Sequence, residues 1–415
     1  MGEWAGEWAD VTGVFAPGAA AFVADPYPAY AELRARGRVH HYGPSDQYLI
    51  PRHADVAALL RDRRLGRTYL HRFSHEEFGR QAPPPAHEPF HVLNDNGMLD
   101  LEAPAHTRIR RLVAKAFTPR TVARLGPYVE GLADELVRGL VADGGGDLVA
   151  RVAEPLPVAV IAEMLGIPEG DDRHQLRPWS ADICGMYELN PSEETAARAV
   201  RASVEFSAYL RELIAARRAA GLDGDDLLTG LIAAHEDEDR LSEQELISTC
   251  VLLLNAGHEA TVNATANGWY ALFRHPDQLA ALRADPDGLL PTAVEELLRY
   301  DTPLQLFERW VLDDIEVDGT VIPRGSEVAL LFGSANRDPD AFADPETLDL
   351  ARADNPHISF SAGLHYCIGA PLARIELAAS LGALLRRAPA LRLAAEPERK
   401  PNFVIRGLGE LLVEC

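Results

Sequence analysis

The stretch Phe360-Ser361-Ala362-Gly363-Leu364-His365-Tyr366-Cys367-Ile368-Gly369-Ala370-Pro371-Leu372-Ala373-Arg374 places one thiol in a glycine-bounded loop directly before a helix. Pro371 suits the first turn of that helix, and Leu377, Leu381 and Leu384 follow at helical spacing. Backbone N–H groups at a helix start are unpaired and point outward, so they can donate to a thiolate and favour its charge. Gly363 and Gly369 let the backbone turn tightly and approach a bulky flat ligand. A single thiolate held this way suits the proximal side of a haem iron, where it promotes O–O cleavage. Two other readings compete. Zinc at His365 and Cys367 would need further ligands, and no second Cys lies nearby. The bland reading is a buried, inert Cys.

Composition narrows the field. A chain of 415 residues usually divides into two or three domains, yet no Gly/Ser-rich or Pro-rich linker separates independent halves, so a single domain over 1–415 is expected. Pro83-Pro84-Pro85 reads as a loop. Apolar and charged fractions are ordinary for a globular enzyme. A formal charge of −23 argues against a nucleic-acid binder, although Arg108, Arg110, Arg111 and Lys115 form a local basic cluster. Cys184, Cys250, Cys367 and Cys415 are far apart and make no disulfide framework, which suits a reducing cytoplasm. The segment from Met1 to Trp8 is acidic and lacks a long apolar run, so neither a signal peptide nor a membrane anchor is expected. Its Gly-Glu-Trp-Ala echo is too small to signal a structural repeat.

Helical periodicity dominates. Pro127 to Asp143, Ser203 to Ala220 and Glu243 to Phe273 read as long helices, with Pro127 opening the first and Ser242 with Glu245 forming a capping box on the third. Strand-like runs are short: Tyr48 to Pro51, Trp310 to Val317 with a turn at Asp318-Gly319, and Glu327 to Phe332. They show no βαβ alternation, so the expected architecture is mainly α with small β-sheets. Residues 66 to 100 read as an irregular, mobile loop region, and 170 to 195 as a connection contributing to a lid.

The third helix contains Leu253-Leu254-Asn255-Ala256-Gly257-His258-Glu259-Ala260-Thr261-Val262-Asn263. The small Ala256-Gly257 pair admits a flat cofactor close to the backbone. Glu259 sits in an otherwise apolar stretch, where a carboxylate needs a purpose or a partner, the alternative being a solvent-facing Glu.

The Cys367 segment resembles the haem-binding loop of cytochrome P450, whose pattern is Phe-x-x-Gly-x-His-x-Cys-x-Gly, and every fixed position is met, including Phe360, His365 and Gly369. The Asn255 segment resembles that family's oxygen-activation helix, usually Ala-Gly-x-Glu/Asp-Thr. Glu259 then matches the acid of the proton-delivery pair, while Ala260 stands where the family has Thr. Thr261 is adjacent, but one helical step turns a side chain by about 100°, so it should not substitute. Asn263 keeps the family register. The family Thr hydroxyl donates hydrogen bonds and helps hold water, which Ala260 cannot do. Either a substrate hydroxyl and water take over, or the chemistry is not ordinary hydroxylation. Some macrolide-hydroxylating members carry Ala at this position, which points to a hydroxyl-bearing natural-product substrate.

Other segments match in order, from Asp25-Pro26-Tyr27 to Arg406-Gly407. Glu296 and Arg299 lie on one helical face and match the family Glu-x-x-Arg pair, with Arg337 expected as third partner in the scaffold. The resemblance implies that His106, Arg110, Arg309 and His365 clamp the haem propionates, for which the forked guanidinium is suited. Read singly, each would be a solvated surface base.

The resemblance implies a P450 fold with one haem b per chain, held between the long oxygen-side helix and the Cys-loop helix. Cys367 is then the iron ligand and Glu259 the proton relay. The reaction is insertion of one dioxygen atom into a small organic molecule. No Gly-x-Gly-x-x-Gly follows a strand to open a helix, so electrons should come from a ferredoxin and its reductase, docking on Arg108, Arg111 and Arg374. A cytoplasmic monomer without nucleic-acid or membrane partners is expected. Two rivals stay open: a haem-thiolate enzyme that couples or rearranges substrates, and a catalytically silent haem-binding partner protein. Candidate pocket liners are Leu252, Asn255, Met98, Leu99, Leu306, Phe307 and the Gly407-Leu408 turn.

Overall fold

Ser242 and Glu245 form the reciprocal cap that the sequence predicts: Glu245 N–H donates to Ser242 Oγ at 3.1 Å, and Ser242 N–H to Glu245 Oε2 at 2.7 Å. From this cap a helix of 32 residues, Glu243–Arg274, runs through the fold; it is called the long helix below. The computed structural model describes residues 10–115, 117–170, 173–222, 224, 226–234 and 241–415. The Met1 to Trp8 segment, with its expected lack of a leader, lies outside the described residues.

Two compact units are built from interleaved segments. The first comprises Met1–Gln81, Pro291–Cys367 and Glu398–Gly407; the second comprises Ala82–Leu290, Ile368–Pro397 and Leu408–Cys415. Because the chain passes back and forth between them, no linker marks a boundary in the sequence.

The second unit is helical. Its helix Pro119–Ala142 packs against Ala370–Arg387, the Cys-loop helix, and the long helix packs against Pro155–Met164, Arg173–Cys184 and the Cys-loop helix. Leu377, Leu381 and Leu384 are buried as their spacing requires. A small sheet orders Gly145–Asp147, Leu412–Glu414 and Arg392–Leu393.

Several boundaries differ from the sequence reading. The helix expected from Pro127 starts at Pro119, where Thr118 Oγ1 accepts from Thr121 N–H at 3.2 Å; Pro127 lies inside it. The local Thr-Pro start signal outweighs the cost of one interior proline. The helix expected from Ser203 starts at Glu193, capped by Ser192. The supposed loop 66–100 contains the helix Glu88–Asp95, and the supposed connection 170–195 contains the helix Arg173–Cys184. Proline- and glycine-rich flanks hid these short helices.

The first unit carries a five-stranded sheet ordered His40–Tyr42, Gln47–Ile50, Glu327–Leu330, Phe307–Val311, Leu65–Gly66. The second and third strands pair in parallel, with Tyr48 opposite Val328, and the others antiparallel, with Arg309 opposite Val328. Ile50, Val311, Val328, Leu330 and Phe332 join one apolar cluster beneath it. The run read as Trp310 to Val317 is broken. It ends a sheet strand at Val311, then resumes as Ile315–Val317 in a hairpin with Thr320–Ile322, turning at Asp318-Gly319 with φ of 53° and 76°.

Candidate active site

In the second unit, most of the long helix is buried, but one stripe is not. Ala256 is exposed, and Leu252, Gly257, Glu259 and Ala260 are half-buried, in a helix whose other central residues are covered. Residues 252, 256, 259 and 260 fall at three- and four-residue intervals and so share a face. Small side chains on that face leave room for a flat ligand. Gly257 serves a different contact. A Cβ there would come within 2.7 Å of Ile161 Cδ1 and 2.9 Å of its Cγ1, so its missing side chain lets helix Pro155–Met164 approach. The room for the ligand thus comes from Ala256 and Ala260, because Gly257 is turned about 100° from Ala256.

Glu259 is not the solvent-facing acid of an amphipathic surface: its side chain is 14% exposed, with Oε1 3.8 Å from His258 Nδ1. His258 is buried and its Nδ1 lies 3.3 Å from Ser180 Oγ on helix Arg173–Cys184. Thr261 is buried away from the open stripe, and its carbonyl accepts from Thr265 Oγ1 at 3.0 Å. No hydroxyl therefore stands at Ala260. His106 and Arg110 lie four apart on helix Ala105–Ala114, the first buried and the second half-buried.

The Cys loop ends the Pro291–Cys367 segment of the first unit. Its shape is set by Gly363, with φ 69°, where a Cβ would collide with the Leu60 carbonyl oxygen. Cys367 N–H donates to the Phe360 carbonyl at 2.9 Å, tying the two ends of the loop. Cys367 is half-buried, as is His365, and Leu364 and Tyr366 on either side are 40% and 41% exposed. Cys184 and Cys250 are buried, and burial pushes the Cys250 thiol up to about 12, so it stays neutral and inert. Arg309 is buried, donating from Nη1 to the Glu308 carbonyl at 2.8 Å and stacking on Phe307 at 4.5 Å; Arg67 stacks on the same ring at 4.4 Å. Gly369 caps the Cys-loop helix, whose first turn holds Pro371 as expected. A small-residue stripe, a partly exposed thiol on a constrained loop and a buried forked cation are the features a haem needs. The residues fit that group.

The scaffold departs from expectation at one position. Glu296 accepts from Arg299 and also from Arg352 Nε at 3.1 Å, whereas Arg337 donates to the Tyr300 carbonyl and to Glu346. Arg352, not Arg337, is the third member; spacing alone could not choose between two arginines that the fold alone places.

Two further features escaped the sequence reading. Asp301 accepts from Tyr27, Arg399 and Arg406 in the first unit. Burial pushes its pKa up, but the Arg399 and Arg406 charges outweigh burial and hold it below the usual carboxylate range. Glu376 of the Cys-loop helix is buried, which pushes it up to about 8. Its signal was an acid among buried leucines. Of the candidate liners, Leu99, Leu252 and Asn255 share a small recess of about 10 Å³ in the second unit. Among the described helices, none is long and apolar enough to cross a membrane.

A family model described as Cytochrome P450 matches residues 181–403. The chain is 42% identical over 400 residues to cytochrome P450 monooxygenase PikC of Streptomyces venezuelae, covering 94% of this chain and 91% of that one. It is 41% identical over 384 residues to nocardicin C N-oxygenase of Nocardia uniformis subsp. tsuyamanensis, covering 91% and 92%. Among solved structures it resembles myxobacterial cytochrome P450 CYP267B1 in complex with myristic acid, with TM-score 0.88, 39% identity and coverage of 97% and 98%. The ordered motifs, the helical fold and these relatives agree: the chain belongs to the cytochrome P450 family, as a monooxygenase that binds haem through a cysteine thiolate.

Proposed function

We propose that this enzyme hydroxylates or epoxidises a small, hydroxyl-bearing natural product, using dioxygen and electrons from a ferredoxin and its reductase, as one P450 domain over 1–415. Haem supplies the oxygen-activating chemistry when bound. Cys367 is its thiolate ligand, with Phe360 and Gly369 shaping the loop. His106, Arg110, Arg309 and His365 receive the propionates. Ala256 and Gly257 of the long helix would contribute to holding the haem. Glu259 holds and moves the protons the reaction consumes, from a site largely shielded from bulk solvent.

The observation that carries the reading is the open stripe of the long helix, where a largely buried Glu259 stands beside Ala260 with no hydroxyl at that position. A substrate hydroxyl with ordered water can fill that gap. The same gap supports oxidative coupling or rearrangement as a second reading. Electron delivery to Arg108, Arg111 and Arg374 is the docking mode favoured here. Arg108 pairs with Glu245; charge reversal at Arg111 that leaves the electron-transfer rate and its salt dependence unchanged would count against this docking mode.

The test is the reduced, carbon-monoxide-bound absorption spectrum, with Cys367→Ala alongside. A long-wavelength Soret band lost in Cys367→Ala supports the assignment; a band that survives refutes it. Product mass under labelled dioxygen then separates oxygen insertion from coupling.

A further inference from the structure

The run His87-Glu88-Pro89-Phe90-His91 opens helix Glu88–Asp95, and a 3₁₀ turn, Pro85–His87, leads into that helix without a break. Two histidines four residues apart stand one above the other on a helix. Here their rings are stacked, with centroids 6.5 Å apart and planes 27° from parallel. Both side chains are half-buried, so each imidazole is partly held and still reaches solvent. His91 is held further by buried Phe90, whose ring meets it edge-on at 5.3 Å. His-Glu-x-x-His on a helix is the pattern by which two imidazoles hold one zinc ion from a single face.

The structure meets the first demands of that pattern: the segment is helical and the rings share a face. Two Zn–N bonds of about 2.1 Å set the bound nitrogens roughly 3.4 Å apart, which the rings reach by tilting toward each other. Among the described residues no group of three or more His, Cys, Asp or Glu could hold a metal, so water fills the ion's other positions. Glu88 is exposed, and the enclosed general base of a zinc hydrolase is missing. The arrangement therefore suits binding and not hydrolysis. Helix Glu88–Asp95 packs against the long helix and against helix Glu193–Ala220 within the second unit. An ion shared by His87 and His91 ties the entry of that helix to its second turn.

We propose that His87 and His91 form a binding site for a divalent transition-metal ion of the zinc–copper class, additional to the haem iron, which clamps the start of helix Glu88–Asp95. Each imidazole gives the ion one nitrogen and keeps the other for a hydrogen bond. The proposal does not depend on the monooxygenase reading.

The experiment is calorimetric titration of the untagged, haem-loaded, chelator-treated protein with Zn²⁺ and with Cu²⁺. Wild type is compared with His87→Gln, His91→Gln and the double variant. Wild type should take up one ion that the double variant does not, with Cu²⁺ bound more tightly than Zn²⁺. Loss of either imidazole should weaken that binding about a hundredfold, because the second ligand acts intramolecularly. Zn²⁺ should also slow hydrogen exchange of the amides in 88–95 in wild type and not in the variants. No binding by wild type, a site that survives in the double variant, or losses of only about twofold in each single variant overturns the chelate. Exchange unchanged by bound Zn²⁺ overturns the clamp. The wild-type titration needs no variant to fold and no turnover. Failure here therefore differs from failure of the oxygen-insertion reading, which labelled dioxygen tests.

Discussion

Glu296 and Arg299 face each other three residues apart with both side chains fully buried, joined by two hydrogen bonds of 2.8 Å each, Nε to Oε2 and Nη2 to Oε1. The remaining guanidinium nitrogen donates to the Asn336 and Pro345 carbonyls, so the pair ties one helix to a distant loop of the same unit. A forked contact of this kind fixes geometry as well as charge. Burial of both ions is costly, and Arg352 and Asn355 complete the acceptor side of Glu296.

Removing one partner strands the other. Glu296→Leu leaves Arg299 and Arg352 without their counter-ion and should cost about 3–5 kcal/mol of stability, read by urea unfolding. Arg299→Lys keeps the charge but loses the fork, and should also lower the midpoint. An unchanged midpoint in both would refute the scaffold role.

Stability should respond to pH through two carboxyls of opposite sign. Glu376 is raised from an ordinary 4.5 to about 8, so folding favours its protonated form. Its contribution is complete below 4.5 and is lost as pH rises towards about 8, by at most about 1.4 kcal/mol per pH unit. Asp301 is held below its ordinary value, so its contribution is complete at neutral pH and is lost on acidification. Melting curves of wild type against Glu376→Gln should show the alkaline slope flattened and the acid limb kept.

Gly257→Ala inverts the usual helix rule. Alanine normally stabilises a helix interior by about 1 kcal/mol over glycine. Here the new methyl meets Ile161, and overpacking should turn the gain into a net loss of about 1–3 kcal/mol. Ile161→Ala in the same chain should restore stability; a Gly257→Ala protein that melts higher than wild type contradicts the helix contact.

Ala260→Thr restores a hydroxyl on the open stripe. The fraction of electrons lost as peroxide should fall when the substrate offered has no hydroxyl of its own. Peroxide formed per reduced nicotinamide consumed is the measurement, and an unchanged fraction argues that the missing hydroxyl is unimportant.

What was legible in the chain was local. The Ser242 cap, the Pro371 helix start, the Leu377–Leu381–Leu384 stripe and the Asp318-Gly319 turn follow from interactions within a few residues, which sequence order fixes. The family motifs were legible for the same reason: each is a short run whose spacing is its geometry. Helices such as Glu88–Asp95 and Arg173–Cys184 were not, since they are held by packing more than by propensity. Only the tertiary structure decided that Arg352 and not Arg337 reaches Glu296, that Gly257 makes room for Ile161, and that Asn255 is buried with its amide unpaired. These are contacts between residues far apart in the chain, and which of two like side chains meets a given partner depends on how whole helices and loops lie against one another.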